Sequence, residues 1–365
     1  MRRVSAVLAA LLSVGIALPI ARAAEEPAPH VAPDHLTGTA EEMAGWWAAA
    51  DDKWVQAREI GEKLTRERPS SYAGQYVLGV AMHYGEGNLA RARHHLERAT
   101  ELFEKLYGAT PAAETPWRWH EAMLRELAFT LGEMDLPAPE LVILDKYDAA
   151  YSPKRIAQRV WPLMKLRRYD ESRKAARDAV ASGNQQQRMI ARSDLCAAEC
   201  EAGDRARAFA ACVDALADFR KAGTGGQVEY ANASESALSV FRYDDSERFL
   251  KEATKRATPD SWGNPFQHLA QLYLTESRIP EAIEALKGAQ ELRMRRPAWL
   301  DQHGQARLDG TIADLFLLTG VTDRAVSAAE RAVDRPDRQG VHSGTEAQAD
   351  AAAAVRLAVM LHDLA

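Results

Sequence analysis

Cysteine and histidine are the residues here with the most chemistry to offer, and both occur in groups. Cys196, Cys200 and Cys212 are the only cysteines, and all three fall within one helical hairpin. Antiparallel helices bring such levels close together, so Cys212 can bridge to Cys196 or Cys200 in an oxidising compartment; otherwise the three stay as buried thiols. His83 closes one helix and the pair His94 and His95 sits on the next. Zinc asks for three or four ligands with an oriented supporting shell, and no acidic or cysteine partner stands at a recognisable spacing from these histidines. They read as solvated or capping groups. His120-Glu121 begins like a zincin helix, but Leu124 stands where the second histidine belongs. Gly223-Thr-Gly-Gly226 shares only the composition of a phosphate-cradling loop, since no Lys-Ser or Lys-Thr follows and no strand precedes it. It reads as an inter-helix loop. There is no Gly-x-Ser-x-Gly elbow, and paired carboxylates on helix surfaces carry no meaning without geometry. No catalytic residue, cofactor or metal is expected, and the chain reads as a non-enzyme.

The elements that carry these residues are helical. Alanine is abundant, Gly and Pro fall mainly between apolar-periodic segments, and long Val, Ile and Thr stretches are missing. The 365 residues show no second composition class, which fits a single array. At the N-terminus Arg2 and Arg3 precede an apolar run from Val4 to Ile20, then Ala21-Arg22-Ala23. This pattern predicts a secretory signal peptide over 1–23, cut before Ala24. The run is shorter than the ~20 residues a spanning helix needs, and no Cys follows it to carry a lipid anchor at this site. The mature protein is expected to be periplasmic or secreted, with no stable membrane insertion. Cleavage removes three Arg and no acid, taking the formal charge from −6 to −9 (−6 − 3). Such an acidic body disfavours nucleic acid, whose phosphates are tracked by Lys and Arg. The basic runs Lys165-Leu-Arg-Arg and Arg293-Met-Arg-Arg sit at helix ends, where they offset the dipole. Residues 24–39, without an apolar face, read as a flexible leader.

Internal repetition decides the architecture. In the unit from Asn264 to Pro297, Phe266, Leu269-Ala270 and Tyr273 lie on a first helix, and Ala282, Leu286 and Ala289 on a second. The next unit has Ile312-Ala313, Phe316, Gly320, Ala325, Ala329 and Ala332, closed by Pro336. Upstream, Leu195-Cys196 and Gly203 precede Ala208, Cys212 and Ala215. Near the start, Ala44-Gly45, Ala57, Leu64 and Pro69 are followed by Leu78-Gly79, Ala92, Leu96 and Ala99. Gly45 and Gly79 lie 34 residues apart. In weaker copies Ser172 and Ser246 replace the first alanine of the second helix, ahead of Ala176 and Ala179 and of Leu250 and Ala253. Residues 104–150 are helical but irregular. This pattern resembles the tetratricopeptide repeat family over most of residues 40–345. The resemblance implies an all-α fold, a right-handed α-solenoid of antiparallel helix hairpins. Two helices approach closely only where both sides are small, and large residues fill the gap to the neighbouring pair. In that frame Cys196 and Cys212 occupy small-residue positions, which favours free thiols.

Residues 346–365 are placed to cap the array, through a helix over Glu346–Leu364. Val355, Leu357, Val359, Met360 and Leu361 cannot all face one neighbour, so self-association through this helix is expected. Trp46, Trp47, Trp54, Trp117, Trp119 and Trp161 read as packing residues, with one of the adjacent Trp46 and Trp47 turned outward. The resemblance also implies a ligand groove lined by first helices. At the best-matched units it places Asn264, Gln267, Gln271, Arg307 and Asp314 there, where amides bond an extended peptide. The family's basic carboxylate clamp is not evident as a set. The function expected is an exported scaffold that binds a protein or peptide partner. The alternative is a transporter-associated periplasmic repeat protein around a small molecule or lipid.

Overall fold

The computed structural model describes residues 33–152, 154–182, 185–223, 226–259, 263–296, 304–333 and 344–363. The expected signal peptide and the terminators Pro297 and Pro336 lie outside them. Seventeen α-helices follow one another, and there is no strand among the described residues. They succeed each other in pairs: α1 (Ala40–Ala50) with α2 (Trp54–Glu67), α3 (Tyr72–Val80) with α4 (Leu89–Tyr107), and α5 (Trp117–Glu133) with α6 (Pro137–Ala150). Then come α7 (Val160–Lys165) with α8 (Tyr169–Ser182), α9 (Gln185–Ala202) with α10 (Arg205–Lys221), and α11 (Gln227–Ser239) with α12 (Tyr243–Lys255). Last are α13 (Pro265–Thr275) with α14 (Ile279–Arg293), α15 (Gly304–Leu318) with α16 (Thr322–Val333), and α17 (Gly344–Asp363). The pairs belong to two compact units. One holds the described residues up to Gly132 together with Leu136–Arg155, and the other holds Glu133–Asp135 with the described residues from Ile156 onward.

One backbone device makes every hairpin. The turn inside each pair carries a residue in the left-handed region: Asp52, Gly87, Asp135, Arg167, Gly203, Phe241, Ser277 and Gly320, with φ between 55° and 84°. The next N–H then turns back onto the end of the first helix. Lys53 donates to the carbonyl of Ala48, Leu136 to Leu131, Arg168 to Leu163, Arg242 to Ala237, Arg278 to Tyr273 and Val321 to Phe316, at 2.8–2.9 Å. This is the Schellman closure of a helix C-terminus, which satisfies a carbonyl the helix itself leaves unpaired. In the second pair Asn88 donates to Met82, one residue further back. The π-turn at Ala81–Gly85 absorbs that extra residue. Only three of the eight turns use glycine.

The small residues of the repeat pattern face inward. Ala57, Ala92, Ala208, Ala282 and Ala325, which open the second helices, are at most 1% exposed. Where serine takes that place, its hydroxyl finds a partner in the facing helix. Ser172 Oγ donates to the Val160 carbonyl at 2.8 Å, and Ser246 Oγ bonds Ser234 Oγ at 2.7 Å. A buried hydroxyl left alone costs about 1–3 kcal/mol, so these pairings make the substitution tolerable. At Gly61 the approach is to backbone, since a Cβ would stand 2.9 Å from the backbone nitrogen of Leu78. The pattern therefore works at the irregular copies as well as at the strong ones.

Both ends of the described chain depart from a simple reading. Residues 33–39, at the close of the expected leader, are mostly exposed but anchored at several points. Leu36 is buried, Trp119 donates its Nε1–H to the Thr37 carbonyl at 3.0 Å, and Thr39 caps α1 in a reciprocal bond with Glu42. On α17, Ala353 and Met360 are buried and Leu357 packs partly against the α15–α16 cluster. Val355, Val359 and Leu361 stand 48%, 53% and 49% exposed, so about half of each side chain's surface meets solvent.

Two substitutions separate close approach from backbone strain. Gly61→Ala lowers unfolding stability by about 1–3 kcal/mol in denaturant titration, because the clash is with immobile backbone. Phe241→Gly raises it by about 0.5–1 kcal/mol, because a mostly exposed side chain is held at a φ that L-residues avoid.

Candidate functional site

The face expected to bind lies on α13 and α15. Asn264 precedes Pro265, and proline at the first helical position suits an N-terminus that needs no donor there. The Asn264 side chain accepts from the Gln267 N–H at 3.4 Å and donates to the Ala289 carbonyl at 2.9 Å. It therefore starts the helix and ties it to α14. Gln267 is buried, and its Nε2 lies 3.5 Å from Thr311 Oγ1; the Gln271 Nε2 lies 3.4 Å from the same hydroxyl. Thr311 Oγ1 in turn donates to the Arg307 carbonyl at 3.0 Å. Residues four apart share a helix face, so Gln267 and Gln271 meet Arg307 and Thr311 as two facing stripes.

Asp314 continues the α15 stripe by another turn and takes a two-pronged bond from Arg356 on α17, at 3.0 and 3.1 Å. Arg356 reaches it over Gly310, where a Cβ would come within 2.7 Å of the guanidinium. Arg307 is exposed beside His268. Burial, and then the charge of Arg307, push the His268 imidazole down to about 4, which leaves it neutral near pH 7. The structure thus brings Gln267, Gln271 and Arg307 together around Thr311 and sets Asp314 against α17. Thr311 and Arg356 are the members the sequence pattern missed. Thr311 had a signal, four residues after Arg307 on the same face. Arg356 had none, because its partner is 42 residues away in the chain.

The α13–α14 hairpin is tied to the preceding helix, α12, by a polar clamp. Glu247 on α12 takes bonds from Arg278 at 2.9 and 3.2 Å and from the Tyr273 hydroxyl at 3.0 Å, and an ion pair with Lys251 at 2.8 Å. The Arg278 guanidinium also lies 4.3 Å over the Tyr273 ring. Its bonds to Arg278, then to Lys251 and Tyr273, hold the Glu247 carboxyl down to about 2.

His94 is exposed, as expected, whereas the other histidines and tryptophans named above serve packing. His83, expected at a solvated or capping position, is instead buried, sharing a 2.9 Å bond with Thr130 and stacked on Tyr84 and Phe129. Burial pushes it down to about 3. It lies in the π-turn Ala81–Gly85, which the spacing of the sequence does not mark. His95 bonds Gln75 at 2.8 Å, and His120 is buried between Tyr151 and Phe103. Trp46 and Trp47 are both half-buried, so neither is turned out; Trp46 packs on Tyr76 and Trp119. At the end of the glycine-rich loop, the Gly226 N–H donates to Glu229 at 2.8 Å, so the start of α11 is capped by its own acid.

The cysteines correct the expectation of free thiols. Cys196 on α9 and Cys212 on α10 are joined in a disulfide, with Cα atoms 4.6 Å apart, and Cys200 is a free, exposed thiol. The small-residue argument was sound about burial, since Cys196 and Cys212 are 2% and 1% exposed. Its consequence was misjudged, because positions where helices nearly touch lie within the Cα spacing a disulfide needs. Cys196 and Cys200 also line a recess with Trp161, Ala197, Glu201, Asn232 and Glu235.

No family model matches the chain, and no curated protein matches it. Among solved structures, a tetratricopeptide repeat protein from Parabacteroides merdae aligns with a TM-score of 0.51 at 11% identity, over 89% of this chain and 100% of that one. Yeast Tom70 aligns with a TM-score of 0.56 at 14% identity, over 88% of this chain and 66% of that one. The fold is tetratricopeptide-like. Within it, α13 and α15 are first helices of consecutive repeats, which is how residues forty positions apart come to share one face.

The clamp has a testable pH signature. A carboxyl with a depressed folded pKa contributes stability above its unfolded value of about 4.3, lost as pH falls through about 2. Glu247→Gln lowers the melting temperature at pH 7, and it flattens the acid loss between pH ~4.3 and ~2 when melting is followed by circular dichroism.

Proposed function

We propose that the chain is an exported scaffold that holds an extended segment of a protein partner on the first helices of its C-terminal repeats. The observation that carries this reading is the stripe on α13 and α15, where a partly buried Gln271 and an exposed Arg307 meet at Thr311 and Asp314 continues the same face. An amide and a guanidinium at the surface suit the carbonyls and acidic groups of an extended peptide, since each bond to a charged group is about twice as strong as a neutral one. Two features support the extracytoplasmic address: the signal-peptide pattern over 1–23 and the Cys196–Cys212 disulfide, which persists in oxidising compartments. No helix among the described residues is long and apolar enough to cross a membrane.

A photo-crosslinking residue placed at Gln271 in cells should yield a discrete protein adduct, weakened at least about tenfold by Arg307→Glu, the loss of one buried charged contact. Fractionation should find the protein outside the cytoplasm with Ala24 as its first residue. Recovery of a stoichiometric lipid or small molecule with no protein adduct would overturn the proposal.

A further inference from the structure

The cysteine cluster has a second arrangement available to it. Cys196 and Cys200 are four residues apart on α9 and so share a face, while Cys212 approaches from α10. The three sulfurs all lie within 4.8 Å of one another. Three thiolates on one zinc-type ion, each at about 2.3 Å, sit roughly 3.8 Å apart in a tetrahedral set, so Cys200 already stands near a ligand's separation from the bridged pair, and Cys196 and Cys212 must move apart once their bond is reduced. The recess beside the three sulfurs favours a cation, since the acidic residues Glu201 and Glu235 are among those lining it. The Asn232 Nδ2 there is buried with no hydrogen-bond partner, a donor placed to hold a bound water or carboxylate.

We propose that, once the Cys196–Cys212 disulfide is reduced, Cys196, Cys200 and Cys212 bind one divalent cation of the zinc type, with an oxygen from the recess as fourth ligand. A dithiol reductant supplies two electrons and two protons, leaves as its own disulfide, and frees two thiols. The cation then displaces one proton from each of three thiols. In the disulfide form only the Cys200 thiol remains, too few ligands for a closed site. The hairpin therefore has two exclusive states, a covalent staple when oxidised and a metal-held one when reduced, with the same helices joined in both.

The test is titration of the full mature chain with Co²⁺, under anaerobic conditions after reduction and removal of reductant. One equivalent should produce a thiolate-to-cobalt charge-transfer band, which Zn²⁺ then abolishes. The oxidised protein should give no band. Cys200→Ser, at an exposed position that leaves the disulfide pair intact, should raise the dissociation constant at least about tenfold while the far-ultraviolet circular dichroism stays helical. The proposal is overturned if reduced protein gives no band, if Cys200→Ser binds as tightly as the parent, or if the oxidised form binds equally. Loss of helical signal on reduction that the cation does not restore would overturn it too.

Discussion

Close approach of paired helices is the constraint on which the rest of the structure depends. Helix axes come within contact distance only where the side chains between them are small, and this chain supplies alanine, glycine, serine or cysteine at each such point. Because the two partners follow one another in sequence, each contact is local, and a tight left-handed turn is enough to form it. The stack then grows pair by pair, with larger residues such as Phe266, Leu286 and Phe316 filling the spaces between neighbours.

The polar chemistry of the interior follows from that closeness. Alanine brings nothing that needs satisfying, but serine and cysteine do, and at these positions a partner is always near. Ser172 finds a carbonyl, Ser246 finds a second hydroxyl, and Cys196 finds Cys212. Asp194, also on α9, is one departure: it is fully buried, neither carboxyl oxygen has a hydrogen-bond partner, and burial pushes it up to about 8.

On the candidate face, burial divides the polar side chains. Asn264 and Gln267 use their polar atoms between helices, in a cap and in a contact with Thr311. Gln271 shares the Thr311 contact but is only partly buried, and Arg307 is exposed. Amino-acid type alone does not make this division; depth within the helix pair does.

The sequence alone determined the helical class, the pairing and the inward alanines, because those depend on side-chain size recurring at short, regular separations. The choice of Asn264, Gln267, Gln271, Arg307 and Asp314 came from the resemblance to the tetratricopeptide repeat family, which assigns a groove to first helices. Only the tertiary structure decided that Cys196 bonds Cys212, that His83 turns inward, that Leu36 is buried and that Arg356 closes on Asp314. Each of these depends on how far apart two atoms stand once helices have packed, and no residue pattern along a chain encodes a distance across it. Five of the hairpin turns were hidden for a related reason. Asp52, Asp135, Arg167, Phe241 and Ser277 adopt the left-handed backbone under pressure from the packed pair, where a local reading looks for glycine.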